Sequence, residues 1–293
     1  MDLSTIHTSG LDIVRSIQAH RSHDLDLFFS AFTSLGSELF YVVALPLLWW
    51  NLGSMLGLRI SIGVLISVWS NLLLKKWLGH PRPYDLDPSV AVLLEQDYGA
   101  PSGHAQQSIV FWGLLAIYAQ KRSLWILGFL MVGLLGLSRI YLGVHFPTDV
   151  LLGWLLGIAI ILGMVYLGPI VARNIGPNAL LYVAIGTFIV TLWVALFVKD
   201  GPLVSFGAGI SGLVLGEAWS NPRRHVRISS FWHRMLVSSA GLLGLMLFYF
   251  GLKGIFPIKG DPMYLAGVFV RYSFCGFWTS YIVPKIFRLN VSQ

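Results

Sequence analysis

Nine long apolar runs, separated by short segments rich in charged residues, glycine and proline, follow one another from about residue 36. They lie at 36–50, 57–78, 104–120, 124–142, 147–171, 178–198, 203–220, 235–252 and 263–284. A helix that crosses a bilayer needs roughly 20 apolar residues, and its backbone polar groups must find their partners inside the helix. The pattern therefore predicts an all-α fold, a polytopic membrane helix bundle of about nine spans.

The first 35 residues follow a different pattern, because polar and charged side chains interrupt every apolar stretch. These side chains are Arg15, His20, Arg21, Asp24 and Asp26. Such a segment is typical of an amphipathic helix that lies in the membrane interface. The chain then divides into an N-terminal interfacial segment (1–35), a core (36–198) and a C-terminal extension with about three further spans (199–293).

The composition excludes an ordinary soluble domain. Hydrophobic residues make up 56% of the chain, charged residues only 11%, and the mean hydropathy is +0.73, whereas about a quarter of the residues in soluble domains are charged. The nine runs leave no room for a sizeable extramembrane domain. The single cysteine, Cys275, excludes an intrachain disulfide and a cysteine-based zinc cluster.

The net charge of +7 is explained by membrane orientation, so we expect no nucleic-acid partner. Threading nine spans puts a group of basic residues on one side: Arg59, Lys121, Arg122, Arg173, Arg223, Arg224, Arg227, Arg234, Lys285 and Arg288. By the positive-inside rule this side is cytoplasmic. The loop at 79–103 and the turn at 143–146 then face the opposite side.

Three polar segments lie on that non-cytoplasmic side. In the first, Lys75 and Arg82 flank the end of the second run, a pattern that a snorkelling lysine and a loop arginine would also give. The second opens the third run with Pro101, Ser102, Gly103 and His104. A helix start with free N–H groups binds anions, although these four residues also fit a plain capped helix start.

The third segment contains Arg139, His145 and Asp149. An arginine near the end of an apolar span is costly without an anionic partner. A carboxylate beside one imidazole nitrogen leaves the other nitrogen free to attack. Together the segments supply three cations, two histidines, a carboxylate and a helix start, which phosphoryl transfer requires. The two histidines lack metal-ligand spacing with a second carboxylate, so we expect no metal ion.

The three segments resemble the three-part signature of the type 2 phosphatidic acid phosphatase superfamily. Its specified positions all match in order: Lys75, Arg82, Pro83, Pro101, Ser102, Gly103, His104, Ser138, Arg139, His145 and Asp149. The signature covers residues 75–149, and the rest of the chain resembles the family only in its hydrophobic layout. The superfamily includes membrane lipid phosphatases, glucose-6-phosphatase and soluble enzymes, and the hydropathy excludes the soluble members.

The resemblance implies a role for each matching residue. His145 would be the nucleophile that forms a phosphohistidine, Asp149 would orient it, and His104 would protonate the leaving alcohol and then activate water. The remaining groups would hold the phosphate oxygens: Lys75, Arg82, Arg139, Ser102 and Gly103. The resemblance implies no cofactor and no metal ion.

The leading hypothesis is a multi-pass phosphatase in a bacterial plasma membrane, with its active site on the non-cytoplasmic side. Its partners would be membrane lipids and a lipid phosphate substrate of the phosphatidate, sphingoid-base phosphate or polyprenyl pyrophosphate type. A sugar-phosphate phosphatase of the glucose-6-phosphatase type is one alternative, since its nine-span layout is similar. A non-catalytic lipid or phosphate carrier is another, although binding alone needs no oriented His145.

One charged residue of the C-terminal third has no place in this chemistry. Arg271 lies inside the ninth run, with Glu217 at the end of the seventh as its candidate partner. An intramembrane arginine is a functional hypothesis by default. A structural ion pair or a contact with a lipid headgroup is the simpler interpretation.

The orientation predicts how introduced cysteines react. In a Cys275→Ala background, cysteines at positions 89 and 123 (Ser89→Cys and Ser123→Cys) should be labelled by a membrane-impermeant thiol reagent from opposite sides of the membrane. The reason is that the first lies in the loop at 79–103 and the second beside the cytoplasmic Lys121. Labelling of both from the same side would contradict the orientation.

Overall fold

The computed structural model describes residues 3–175, 179–220, 230–255, 261 and 263–287. Within these ranges all regular secondary structure is helical, which confirms the all-α prediction. The α-helices are α1 (Leu3–Gln18), α2 (His23–Thr33), α3 (Glu38–Leu52), α4 (Ser54–Leu78), α5 (Pro83–Leu86), α6 (Gly103–Ala119), α7 (Arg122–Tyr141), α8 (Pro147–Leu162), α9 (Gly168–Ile175), α10 (Ala179–Trp193), α11 (Gly201–Trp219), α12 (Phe231–Ile255), α13 (Tyr264–Phe277) and α14 (Val283–Ile286). Of the basic residues that set the predicted orientation, four lie outside the described ranges: Arg223, Arg224, Arg227 and Arg288.

Six helical segments of the described chain are long and apolar enough to cross a membrane. They are Ser54–Leu86, Arg122–Tyr141, Pro147–Val171, Ala179–Val198, Gly201–Trp219 and Phe231–Ile255. A seventh span is reached if His23–Gly36 and Glu38–Leu52, which are bent by 51° at their junction, count as one. The runs at 104–120 and 263–284 are helical but fall short of this test, so the count of nine stays a prediction.

The chain divides into two compact units. The first comprises Met1–Tyr41 and Ile66–Val165, and the second comprises Val42–Leu65 and Tyr166–Gln293. All the predicted site residues belong to the first unit. The predicted boundaries after residues 35 and 198 do not coincide with these units, so the three-segment organisation stays a prediction.

In the first unit, α6 packs against both α7 and α8. Small residues on α8 allow the close approach: a Cβ at Gly153 would lie 2.6 Å from the Ser102 carbonyl oxygen. The Ser102 amide in turn donates to the Asp149 carbonyl oxygen at 3.0 Å. The starts of α6 and α8, which carry two of the three signature segments, are therefore held side by side.

The N-terminal helix α1 packs on the loop that precedes α6. Gln18 Nε2 donates to the carbonyl oxygens of Val90 at 2.9 Å and Tyr141 at 2.6 Å. Arg15 forms an ion pair with Asp87 at 2.7 Å. These contacts join α1 to the loop and to the end of α7. The interfacial location predicted for residues 1–35 stays a prediction.

In the second unit, glycines bring α11 and α13 into backbone contact. A Cβ at Gly212 would overlap the Ser273 carbonyl oxygen, and a Cβ at Gly276 would overlap the Gly209 carbonyl oxygen. Such small residues are common where membrane helices pack closely. Helices α11 and α13 are therefore held together by close packing of their backbones.

Arg271 and Glu217 contact different partners. The Arg271 guanidinium carbon lies 5.2 Å and 5.0 Å from the ring centroids of Tyr249 and Tyr272, within the range of cation–π attraction. Glu217 Oε1 accepts a hydrogen bond from Ser54 at 2.9 Å. The structure therefore gives Arg271 an aromatic environment.

The turn between α7 and α8 requires glycine at position 143. Gly143 has φ of +70°, and a Cβ there would overlap the Val90 carbonyl oxygen. Gly143→Ala should therefore destabilise the fold by about 1–3 kcal/mol and lower the melting temperature in detergent. Gly133→Ala is the control, since no atom lies within 4 Å of that Cβ position. Equal melting temperatures for the two variants would contradict this account.

Candidate active site

Helix ends supply most of the predicted site residues. Lys75 lies in the last turn of α4 and Arg139 in the last turn of α7, while Asp149 lies in the first turn of α8. Arg82 precedes the first residue of α5, and His145 lies in the turn that joins α7 to α8. The site is thus assembled where helices begin and end, and its geometry depends on how those ends are capped.

The start of α6 carries the second signature segment. Ser102 is the N-cap residue, Gly103 is the first helical residue, and His104 follows. Asn71 Nδ2 donates to the Pro101 carbonyl oxygen at 3.1 Å, which fixes this helix start against α4. The Ser102 amide donates to the Asp149 carbonyl oxygen at 3.0 Å, and Arg82 Nη1 donates to the Val144 carbonyl oxygen at 2.7 Å. The structure therefore brings all three signature segments together.

The three cations of the site are almost completely buried. The exposed fractions are 4% for Lys75, 1% for Arg82 and 0% for Arg139. A buried charge is costly unless it is paired and hydrogen-bonded. Three cations this close together also repel one another, so the site must supply several oxygen acceptors.

Two carboxylates from the loop before α6 partly neutralise the positive charge of the three cations. Glu95 forms ion pairs with both arginines, Arg82 at 2.9 Å and Arg139 more closely. Asp97 pairs with Lys75 at 2.7 Å and, at shorter range, with Arg82. Neither residue was predicted to belong to the site, because the family signature leaves this loop unspecified. Their role could have been predicted, because an arginine at the end of an apolar run needs an anionic partner and this loop contains carboxylates.

The charge of Glu95 is stabilised by these contacts. Burial alone would raise the pKa of the Glu95 carboxyl, but the positive charges of Arg139 and Arg82 outweigh burial and hold this pKa below its ordinary value. Glu95 is therefore ionised at neutral pH. Its contacts with the arginines are ion pairs between formal charges.

Neutral oxygen atoms also contact each cation. Arg139 Nη1 donates to Thr33 Oγ1 at 2.8 Å. The other two cations donate to backbone carbonyl oxygens of Asp97, Tyr98 and Val144, each at 2.7 Å. Thr33 was also missed, because it ends α2 and is far from the signature in sequence. Only the packing of α2 against α7 places it beside Arg139.

His145 is buried and lies beside Asp149. Its Nδ1 atom is 3.4 Å from Asp149 Oδ2, a long contact, and the same carboxylate oxygen accepts the Phe146 amide at 2.9 Å. Burial, followed by the charge of Arg139, lowers the pKa of His145 well below its ordinary value. The imidazole is therefore neutral at pH 7. With Nδ1 facing the carboxylate, Nε2 can carry the free electron pair.

Among the described residues, no group of three or more histidine, cysteine, aspartate or glutamate side chains could hold a metal ion. The positive charges close to His145 come from lysine and arginine. A cluster of this kind can hold an anion beside a neutral imidazole.

Two family models match the chain. The first, described as the PAP2 superfamily, matches residues 49–171, and the second, described as a transmembrane extension of PAP2 superfamily phosphatases, matches residues 201–293. The chain belongs to the PAP2 superfamily. This family is the type 2 phosphatidic acid phosphatase superfamily, so the resemblance inferred from the signature is confirmed. The six apolar helices and the matched extension make the chain an integral membrane protein.

Two curated proteins are similar to this chain over part of its length. The probable sphingosine-1-phosphate phosphatase of Dictyostelium discoideum is 26% identical over 59% of this chain and 47% of its own length. Glucose-6-phosphatase catalytic subunit 1 of Mus musculus is 30% identical over 54% of this chain and 52% of its own length. The chain spans about half the length of the curated relatives it matches.

One similar solved structure is that of the first transmembrane PAP2 type phosphatidylglycerolphosphate phosphatase from Bacillus subtilis. It has a TM-score of 0.50 and 24% identity, and the match covers 58% of this chain and 89% of that chain. At this identity the match supports a shared fold alone.

Proposed function

We propose that this protein is a membrane phosphatase that hydrolyses a lipid phosphate through a phosphohistidine intermediate. The observation that carries the proposal is the group of three buried cations around a neutral His145 that lies beside Asp149. Membership of the PAP2 superfamily supports it. The substrate is of the phosphatidate, sphingoid-base phosphate or polyprenyl pyrophosphate type.

The first step is nucleophilic attack on phosphorus. His145 Nε2 forms a bond to the phosphorus atom while the bond to the leaving oxygen breaks. His104, which becomes protonated when the phosphate anion binds beside it, donates its proton to that oxygen. Asp149 accepts a hydrogen bond from the Nδ1–H group of His145 and stabilises the positive charge on the phosphorylated imidazole. The contact of 3.4 Å shortens when substrate binds, as catalytic hydrogen bonds often do.

In the second step His104 changes from general acid to general base, and His145 is the leaving group. His104, now neutral, removes a proton from water, and the resulting hydroxide attacks the phosphohistidine. The P–N bond breaks, inorganic phosphate leaves and His145 becomes neutral again. Throughout both steps the negative charge on the phosphate oxygens is stabilised by Lys75, Arg82 and Arg139.

The start of α6 adds uncharged donors to these cations. The Ser102 hydroxyl is buried and has no hydrogen-bond partner among the described residues, so it is available to a phosphate oxygen. The Gly103 amide is one of the unpaired donors of a helix start. Because the chain itself supplies the positive charge that metal ions supply in other phosphatases, turnover proceeds without a metal ion or other cofactor.

We also propose how the chain is organised in the membrane. The chain comprises nine spans, with an interfacial N-terminal segment (1–35), a phosphatase core (36–198) and an extension (199–293). The family matches at 49–171 and 201–293 support the last two segments. The active site faces the non-cytoplasmic side of a bacterial plasma membrane, where membrane lipids are its partners.

A lipid substrate is favoured over a sugar phosphate by the depth of the cations. Lys75 lies three residues before the end of α4 and Arg139 two before the end of α7, so both are about 3–5 Å inside the helix tips. Trp77 lies in the last turn of α4, and 80% of its surface is exposed. Exposed tryptophans of this kind are typical of the membrane–water interface. Lipid phosphates reside at this level.

The nucleophile is tested by substitution. His145→Ala should abolish release of phosphate, because the variant lacks the imidazole that attacks phosphorus. Labelled phosphate should be trapped on the wild-type chain by rapid acid quench and not on this variant. His20→Ala, an exposed histidine of the same unit, is the matched control and should retain turnover. Full activity of His145→Ala would contradict the mechanism.

Substrate class is tested by comparing esters of different solubility. We expect a long-chain phosphate monoester to have a kcat/KM at least about 100-fold higher than glucose 6-phosphate, because its buried tail adds binding energy. Both should be assayed in detergent and in bilayers, with excess chelator present throughout. An equal or higher value for the sugar phosphate would favour the glucose-6-phosphatase type of activity. Binding of a lipid phosphate without turnover would favour a carrier.

A further inference from the structure

The cluster of cations proposed to bind phosphate already contacts four carboxylate oxygens. Glu95 directs Oε1 to Arg139 and Oε2 to Arg82, while Asp97 directs Oδ1 to Arg82 and Oδ2 to Lys75. Carboxylate and phosphate oxygens make the same charge-assisted contacts with lysine and arginine. The two side chains therefore take up the donors that a phosphate group would use.

The burial of the partners is unequal. The side chains of Lys75, Arg82 and Arg139 are 5%, 1% and 1% exposed, whereas those of Glu95 and Asp97 are 25% and 48% exposed. The carboxylates therefore reach the cations from the water-facing side. Each can rotate outward and regain hydration, whereas the cations cannot leave the protein interior.

The cations keep other acceptors when the carboxylates leave. Arg139 retains Thr33 Oγ1, and Lys75 retains the Tyr98 carbonyl oxygen. Arg82 retains the carbonyl oxygens of Asp97 and Val144. These neutral oxygens hold the cations in position, so the carboxylates are not needed to orient them.

The backbone of the loop is fastened at Glu95. Tyr84 Oη donates to the Glu95 carbonyl oxygen at 2.8 Å and accepts the Glu95 amide at 3.2 Å. Withdrawal of this carboxylate is therefore a rotation of the Glu95 side chain. It needs no unfolding of the loop or of α1.

We propose that Glu95 and Asp97 act as an internal anion that occupies the phosphate site in the resting protein and withdraws when a phosphate binds. The three cations and two carboxylates leave one net positive charge, and a phosphate dianion added to them would make the site net negative. Phosphate and the carboxylates therefore compete. The inference rests on the proposed function and adds two residues that set the affinity for substrate and for released phosphate.

The test is anion binding to the purified full chain. Inorganic phosphate and vanadate should each be titrated calorimetrically into the wild type and into Glu95→Gln and Asp97→Asn, which remove charge and keep shape. We expect each substitution to raise the affinity for both anions about ten-fold, because one competing charged contact is lost. Asp24→Asn is the matched control, since Asp24 is an exposed carboxylate of the same unit, and its affinity should equal that of the wild type.

Glu95→Asp provides a second variant that keeps the charge. Its shorter side chain should pair less well with Arg139 and give an intermediate affinity, even if Glu95→Gln is too unstable to purify. Unchanged or weaker anion binding in the variants would contradict the competition between the carboxylates and phosphate. It would not contradict the binding of phosphate by the three cations. Absence of binding in the wild type and in every variant would overturn the phosphate site as well.

Discussion

The burial of three like charges within one small site is the constraint on which the rest of the first unit depends. Lys75, Arg82 and Arg139 have almost no exposure, and the repulsion among them must be offset by oxygen atoms. Those oxygens come from the turn after α7, from the loop before α6 and from the end of α2. Segments far apart in sequence must therefore meet at one point.

Helix ends are suited to this task because they combine ordered backbone with unsatisfied polar groups. The start of α6 offers amides, and the ends of α4 and α7 each carry a cation of the site. The turn that carries His145 fits between them because glycine occupies its left-handed position, against the Val90 carbonyl oxygen. Val90 lies in the loop before α6, which also contains Glu95 and Asp97. This loop therefore both packs against the turn that carries His145 and supplies the carboxylates that pair with the cations.

The N-terminal segment contacts the loop before α6, the end of α7 and two residues of the site. Gln18 bonds to the loop and to the end of α7, and Thr33 bonds to Arg139. Gly36 leaves room for the His104 ring, since a Cβ there would lie 2.6 Å from its Cδ2 atom. Residues outside the family signature therefore shape both the cation cluster and the setting of a histidine.

The sequence by itself determined the all-α class, the family and the signature residues, because apolar run length and motif spacing are local properties of the chain. It did not determine Glu95, Asp97, Thr33 or Gly36 as neighbours of the site, nor that the Ser54 hydroxyl contacts Glu217. The spacing of these residues carries no periodic signal, and their partners lie on other helices. Which acceptor meets each buried charge is decided only when the helices pack, since burial creates the need for a partner and three-dimensional proximity selects it.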